Sequence, residues 1–306
     1  TNFYIGNKSF IKKICMKISI FTPTYNRAYT LGALYESLRK QTCQDFEWII
    51  VDDGSTDNTE ELCHRFNSDL FPIHYFKTQN HGKHVAINFG AQKALGEWFF
   101  IVDSDDQLPE HSIENIIKES KKISDNKDIA VLCGMRFYKN GERVGGNLNF
   151  KEIDCSALDF RYKYHIKGDA AEAIRTTVIK KYPFPEFDDE RFCPEALLFN
   201  RVARKYKTHY FNKNVYLCEY LTDGLSAKIT KIRMNSWKGT CLCYSELANS
   251  SVPFKIKLRS WLNFWRFHAC HKSEEVYDNL FKIPRWSKII KPFGYIIHIM
   301  DLKIIK

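Results

Sequence analysis

The chain has 306 residues, and its content of 44% hydrophobic and 27% charged residues excludes a wholly disordered protein. Its formal net charge of +10 is unevenly distributed, because residues 226–306 carry 15 Lys and Arg against 5 Asp and Glu while the remainder is neutral. The longest candidate for a membrane span, residues 292–300, is shorter than the roughly 20 apolar residues that a spanning helix needs.

Strands and helices alternate along the first half of the chain. Residues 1–15 have no clear pattern, and we expect them to be an N-terminal extension ahead of a first strand. The elements predicted next are strands at 17–21, 47–53, 73–76, 98–102 and 129–138, with helical patterns after residue 27 and at 59–66, 84–95 and 109–123. This alternation predicts an α/β fold with a mostly parallel sheet and helices on both faces. After a glycine-rich turn at 141–146 the pattern is mixed, with helices predicted at 170–180 and 195–206.

Three aspartates directly follow the apolar strand at 98–102. Asp103, Asp105 and Asp106 fall within four residues and repel one another, so the cluster favours a bound cation. Carboxylate oxygens suit Mg²⁺ or Mn²⁺, and such an ion often bridges protein carboxylates to substrate phosphates. The segment therefore predicts a metal and phosphate site on an α/β sheet.

A second pair of acids ends the strand at 47–53. Asp52 and Asp53 are followed by Gly54, which permits a tight turn, and by polar residues that suit the start of a helix. Ligands of open α/β sheets bind outside the carboxyl ends of the strands. Both acid-tipped strands are therefore expected to border one crevice, with Asp52 serving as a turn or helix-cap residue.

Four segments in this order and spacing resemble the family 2 glycosyltransferases of GT-A fold. They are ISIFTPTYNR at 18–27, QTCQDFEWIIVDDGSTD at 41–57, NHGK at 80–83 and GEWFFIVDSDD at 96–106. The resemblance covers most of residues 16–225, and the four linked motifs are together highly specific. It implies inverting transfer of a sugar from a nucleotide donor, usually a UDP-sugar, with a divalent metal.

The resemblance also implies roles for individual residues. Asp53 is expected to accept a hydrogen bond from the base, and a carboxylate suits the imide N–H of uracil, which cytosine lacks. Asp103 and Asp105 resemble the pair that holds the donor diphosphate through Mn²⁺ or Mg²⁺, and Asp106 is expected to touch the donor sugar or a metal-bound water. The other residues expected at the nucleotide or sugar are Pro23, Thr24, Tyr25, Asn80, Lys83 and Asn88.

Glu195 matches the position of the family's catalytic base, an acid at the start of a late helix that faces the acceptor hydroxyl. The family commonly has a Glu-Asp pair there, whereas this chain has Pro194 and Glu195. The alternative role for Glu195 is stabilisation of the helix N-terminus by its charge. Other candidate bases are the acids at 188–190, and Asp169 and Glu172 are candidates for shaping the acceptor side.

The segment at 220–226 is the last that resembles the family, and Ser226 or Lys228 is a candidate hydrogen-bond donor to the diphosphate in a closing loop.

Two other classes of protein compete with the glycosyltransferase interpretation. A catalytically silent nucleotide-sugar-binding protein of the same fold draws its support from Pro194. A sugar-1-phosphate nucleotidyltransferase is disfavoured, because the loop at 22–26 lacks the glycine-rich, basic character expected of that class.

Residues 226–306 are predicted to form a basic, aromatic and mainly helical C-terminal region. One interpretation is that its aromatic residues pack on the main domain, and the other is that residues 255–306 contact an anionic membrane surface. Nucleic acid is not expected as a partner, since such a binder would not need the acid-tipped crevice. The ten scattered cysteines lack CxxC spacing, so reduced thiols without structural zinc are expected.

Together with the absence of a recognisable secretory signal, these features suggest a cytoplasmic location or attachment at the inner face of the membrane. The resemblance suggests cell-surface polysaccharide synthesis, with a glycan or a lipid-linked acceptor. The donor sugar, the acceptor and the linkage depend on a few pocket residues that a sequence pattern does not resolve.

Overall fold

A computed structural model describes residues 17–146, 148–218, 228–271 and 278–305. The strands are β1 (Ile18–Thr24), β2 (Phe46–Asp52), β3 (Ile73–Lys77), β4 (Trp98–Ile101), β5 (Ile129–Tyr138), β6 (Glu152–Cys155), β7 (Ala170–Arg175) and β8 (Lys207–Cys218). The helices before residue 219 are α1 (Ala28–Arg39), α2 (Thr59–Arg65), α3 (Lys83–Lys93), α4 (Ser112–Lys122), α5 (Ala157–Tyr162), α6 (Thr176–Ile179) and α7 (Ala196–Val202). Those after residue 227 are α8 (Ile229–Asn235), α9 (Trp237–Ala248), α10 (Phe254–His268), α11 (Asp278–Phe281), a 3₁₀ helix (Arg285–Ile290) and α12 (Lys291–Ile305).

The eight strands form one sheet in the order β3-β2-β1-β4-β7-β5-β8-β6. Strands β3, β2, β1 and β4 are parallel, as are β5 and β8, whereas β7 and β6 run antiparallel to their neighbours. The parallel half places the carboxyl ends of β1, β2 and β4 side by side. The prediction of a mostly parallel α/β sheet is therefore confirmed, and the acid-tipped strands are neighbours of β1.

The central strands are buried on both faces, so alternate residues enter two separate cores. One core contains α3, α7 and the C-terminal helices, and its strand residues include Phe21, Ile49, Val51, Phe99 and Ile101. The other contains α1 and α4, and its strand residues include Ile18, Ile20, Trp48, Ile50, Trp98 and Phe100. This double burial explains why the strands appear as continuous apolar runs in the sequence.

The helix predicted at 170–180 is wrong in its first half. Residues 170–175 form β7, which lies antiparallel between β4 and β5, and only the short α6 follows. The alanine-rich sequence favours a helix, but Ala171 and Ala173 are buried in the core that contains α1 and α4, and strand pairing overrides the local preference. The helix predicted at 195–206 is shorter than expected, and β8 was not predicted.

The aromatic residues of the C-terminal region divide into two groups. Six are buried in the core that the C-terminal helices share with the sheet: Trp237, Trp261, Phe264, Trp265, Phe267 and Phe281. Four others are exposed: Phe254, Trp286, Phe293 and Tyr295. Packing on the main domain thus accounts for α9 and α10. No helix in the described part of the chain is long and apolar enough to cross a membrane.

Candidate active site

The turn after β2 is built by Asp52. Its carboxylate accepts hydrogen bonds from the Ser55 backbone N–H and the Tyr75 hydroxyl, each at 2.7 Å. Gly54 has φ +81°, and a Cβ at that position would lie 3.0 Å from the backbone nitrogen of Asn80. The turn is therefore held against the loop that leads to α3, and Asn80 lies beside it.

The loop after β1 is fastened to the same turn. The Asn26 side-chain oxygen accepts hydrogen bonds from the backbone N–H groups of Thr56 and Asp57 at 2.8 and 3.3 Å. Of the residues expected at the nucleoside, Pro23 and Thr24 are buried at the end of β1, whereas Tyr25 is 46% exposed. The loop thus exposes the Tyr25 ring to solvent, while these hydrogen bonds hold its backbone in place.

Asp53 holds the loop at 78–82 through both carboxylate oxygens. One accepts the His81 N–H and the other accepts the Gly82 N–H, each at 2.8 Å. Burial raises the pKa of Asp53, although these N–H groups favour its charged form. Each oxygen keeps a second lone pair, so this loop-fastening role leaves acceptor capacity for a base.

Lys83, at the first turn of α3, lies between two acids from distant segments. Its ammonium is 2.5 Å from Asp103 Oδ1 and 2.6 Å from Glu195 Oε1. Burial lowers the pKa of Lys83, but the two carboxylates outweigh it and raise that pKa above its usual value. The structure therefore brings together the aspartate cluster after β4 and the acid before α7.

The rest of the aspartate cluster carries excess negative charge. Burial, followed by repulsion from Asp103, raises the pKa of Asp105 and raises that of Asp106 to about 7. In Asp103 itself, burial raises the pKa, but Lys83 and then Arg136 outweigh it and lower the pKa. A cation beside Asp105 would relieve this repulsion, so these residues fit a divalent metal ion.

Two residues beneath this cluster were not predicted from the sequence. The Tyr216 hydroxyl accepts the Asp103 N–H at 2.9 Å and also hydrogen-bonds the Asp106 side chain. The Arg136 guanidinium stacks 4.2 Å from the centre of the Tyr216 ring, and its Nε donates to the Ala170 carbonyl. In the sequence, the signal for a positive charge near the aspartates was Arg136 itself, an arginine within the otherwise apolar β5.

Glu195 directly precedes α7, and its side chain is 36% exposed. The loop before it is closely packed on both sides. A Cβ at Gly82 would lie 1.9 Å from the Arg191 carbonyl oxygen, and the buried Glu190 carboxylate accepts the Lys238 and Gly239 N–H groups at the start of α9. The position of Glu195 is thus set by contacts with both α3 and α9.

Asn88 lies further along α3 and is fully engaged with the same loop. Its amide donates to the Phe184 carbonyl at 3.0 Å and to Glu186 at 2.8 Å, and it accepts the Phe184 N–H at 2.8 Å. These contacts occupy the Asn88 side chain, which therefore holds the loop in place and is not free to bind a donor.

A second cluster of potential metal ligands lies away from the crevice. Among the described residues, Glu119, Glu152 and His209 have ligand atoms within 4.8 Å of one another. Lys122 lies between the two glutamates, at 2.6 Å from Glu119 and 2.5 Å from Glu152. Lys213 lies 3.2 Å from Glu119, so two ammonium groups already offset the charges of the two glutamates. The segments at 1–15 and 220–226 lie outside the described residues, as does Ser226.

Comparison with known proteins identifies the family of the chain. The model of the glycosyl transferase family 2 matches residues 19–179. The chain is 32% identical over 290 residues to the glycosyltransferase GlyG of Streptococcus pneumoniae, covering 87% of this chain and 94% of that protein. It is 31% identical over 261 residues to the GalNAc(5)-diNAcBac-PP-undecaprenol beta-1,3-glucosyltransferase of Campylobacter jejuni, covering 76% and 81% of the two chains.

Among solved structures, S. aureus TarS 1-349 in complex with UDP-GlcNAc is similar at a TM-score of 0.63 and 20% identity, over 91% of this chain and 79% of that one. Its likeness supports the GT-A fold that the sequence resemblance implies. The family match spans more than half of the chain and includes β1, β2, β4 and the aspartate cluster. The chain therefore belongs to glycosyltransferase family 2 and has the GT-A fold.

Proposed function

We propose that this protein is an inverting glycosyltransferase that moves a sugar from a UDP-sugar to a hydroxyl group of a glycan or lipid-linked acceptor. The observation that carries the proposal is the position of Lys83 between Asp103 and Glu195. The segment proposed to bind phosphate and the proposed general base thus lie on either side of one cation. Transfer of a sugar from a diphosphate to a hydroxyl needs both groups in one crevice.

On the donor side, Asp53 and the loop at 23–25 are proposed to hold the nucleoside. Asp103 and Asp105 would hold Mn²⁺ or Mg²⁺, and such an ion, when bound, neutralises the negative charge of the diphosphate. Lys83 is then available to bind phosphate or sugar oxygens as a point charge. Asn80 and Asp106 are proposed to contact the donor, and Asn88 to act indirectly through the loop that it tethers.

On the acceptor side, Glu195 is proposed to act as the general base. It takes the proton of the acceptor hydroxyl, whose oxygen forms a bond to the anomeric carbon from the face opposite the diphosphate. The bond from that carbon to the diphosphate oxygen breaks, and its electron pair leaves with the nucleoside diphosphate. The ion pair with Lys83 holds the Glu195 carboxylate at the crevice, where it can accept this proton.

The names of the similar proteins support the choice of donor and setting. TarS was crystallised with UDP-GlcNAc, and the Campylobacter relative is named for an undecaprenol-linked acceptor. We therefore propose a role in cell-surface glycan assembly at the inner face of the membrane. In this proposal residues 16–225 catalyse the sugar transfer, and residues 226–306 support and position that catalytic part of the chain.

The experiment is a thermal-shift panel of UDP, GDP, CDP and dTDP, each with and without Mn²⁺. We expect stabilisation by UDP that depends on Mn²⁺ in the parent protein. Asp105→Ala should lose the metal-dependent part, while Asp125→Ala, which removes an exposed acid elsewhere, should keep it. Glu195→Gln should keep the nucleotide response and lose sugar transfer by about 100-fold or more.

Two results would refute the proposal. A UDP response that is the same in Asp105→Ala would exclude the assigned phosphate site. Full transfer activity in Glu195→Gln would exclude the assigned base. Nucleotide binding without transfer or donor hydrolysis in the parent protein would indicate a silent nucleotide-sugar-binding protein instead.

A further inference from the structure

The last helix exposes apolar side chains on the side that faces away from the protein. Ile304 is 80% exposed and Phe293 is 61% exposed, and Ile296, Ile299 and Met300 are each more than half exposed. We call these five residues the apolar face of α12. Ile289, in the 3₁₀ helix just before it, adds a side chain that is 77% exposed.

The opposite side of α12 already makes the contacts that hold the helix to the protein. Gly294 packs so closely on α10 that a Cβ there would lie 2.6 Å from the Trp265 Cβ. Asp301 is buried and accepts two hydrogen bonds from the Arg266 guanidinium at 2.5 and 2.7 Å. The apolar face is therefore not needed to dock the helix, and its exposure has an energetic cost in water.

Positive charge predominates in the segments that carry the apolar face and lie next to it in the sequence. Residues 278–305 contain Lys282, Arg285, Lys288, Lys291 and Lys303 but only two acids, Asp278 and Asp301. The Asp301 charge is already paired with Arg266, so the surface keeps its positive sign. Trp286 and Tyr295 lie in the same segments and are 43% and 39% exposed. Aromatic rings with a polar tip beside basic residues suit the boundary between lipid headgroups and acyl chains.

We propose that the apolar face of α12 and the basic residues of segment 282–303 form a docking surface for an anionic lipid membrane. With 15 residues, α12 is about 22 Å long and would lie in the plane of the interface rather than across the bilayer. A lipid surface fits both properties at once, since acyl chains cover the isoleucines and anionic headgroups pair with the lysines. This inference deepens the proposed function, because it places the crevice beside a lipid-linked acceptor.

The surface is also joined to the candidate active site. Helix α12 packs on α10, α10 packs on α9, and the first turn of α9 binds Glu190 in the loop before Glu195. A membrane bound to α12 would therefore hold the acceptor side of the crevice at a fixed position relative to the bilayer.

The test is co-sedimentation of the whole chain with phosphatidylcholine vesicles that contain either no anionic lipid or about 30% phosphatidylglycerol, at about 0.1 M and 1 M salt. We expect binding to the anionic vesicles that falls at high salt. The double variant Ile296→Gln/Ile299→Gln should bind about tenfold more weakly, because it removes apolar side chains that enter the interface. The matched control is Leu70→Gln/Leu95→Gln, which changes two exposed leucines elsewhere.

The contribution of positive charge to vesicle binding is tested by the double variant Arg285→Glu/Lys288→Glu. The control is Lys40→Glu/Lys127→Glu, which changes exposed lysines elsewhere. The proposal is overturned if the parent protein ignores anionic vesicles or if the isoleucine variant binds them as well as its control. It is also overturned if light scattering shows a dimer that the isoleucine variant abolishes, since a second copy would then cover this face. The UDP thermal shift should be unchanged in all four variants, so failure of lipid binding and failure of the proposed donor site are separate results.

Discussion

Substitution of Gly82 tests whether close packing between two loops positions the candidate base. Gly82 has φ +95°, and an added Cβ would lie 1.9 Å from the Arg191 carbonyl oxygen. Ordinary contact begins near 3.4 Å, so the loop that carries Glu195 must move by about 1.5 Å relative to Lys83. Misplacement of a reacting group by about 1 Å costs about 100-fold in rate. We therefore expect Gly82→Ala to lose about 100-fold of the transfer activity.

The matched control for Gly82→Ala is Gly141→Ala. Gly141 has φ +86°, but nothing lies within 4 Å of an added Cβ, so this variant also places a Cβ at positive φ, without the clash. The positive φ costs each variant about 1–3 kcal/mol of stability, and Gly82→Ala, at φ 95° and ψ 158°, has the clash in addition. The assay compares release of nucleoside diphosphate with the free energy of unfolding in urea. Equal activity in the two variants would refute the argument, whereas a large activity loss in Gly82→Ala alone would support it.

Two further predictions concern buried groups near the crevice. Burial raises the pKa of Glu190 to about 7 from 4.5, so its contribution to stability is present below pH 4.5 and is lost as pH rises to 7. Relative to Glu190→Gln, the parent protein should lose up to about 3 kcal/mol over that window in urea titrations, and parallel curves would contradict this. Tyr216→Phe leaves the Asp103 N–H without its acceptor, so we expect a loss of about 1–3 kcal/mol and about tenfold weaker Mn²⁺ binding in thermal-shift titrations. Unchanged Mn²⁺ affinity would exclude this positioning role.

The parts of the fold that the sequence predicted are those in which local pattern and tertiary structure agree. Strands β1, β2 and β4 are buried on both faces, so they are apolar runs in the sequence, and acids directly follow the runs of β2 and β4. That pattern is enough to predict that Asp53 and Asp103 lie at one edge of the sheet. The order of the motifs then identified the family.

Other parts were hidden because tertiary contacts decide them. Residues 170–175 have helical propensity but form β7, because they pair with β4 on one side and with β5 on the other. Tyr216 and Arg136 come from strands that meet the aspartate cluster only after the sheet is assembled. Their roles as hydrogen-bond partner and counter-charge have no motif of their own.

The C-terminal region shows the same limit in another form. Trp265 and Ile299 both lie on amphipathic basic helices, and composition alone treats them alike. The structure buries the first in the core shared with the sheet and leaves the second exposed. A hydrophobic residue beside lysines therefore indicates a membrane contact only after the helix partners are known.

The position of Glu195 depends on parts of the protein that sequence motifs treat as separate. On one side, the segment proposed to bind the donor contacts its loop through Gly82 and Lys83. On the other side, Glu190 fixes the same loop to the first turn of α9, whose neighbours lead to the exposed face of α12. A donor that displaces Lys83 and a surface that holds α12 would thus act on one short loop from opposite sides. This arrangement gives a physical reason for a basic helical region to accompany a sheet domain that already carries the donor site.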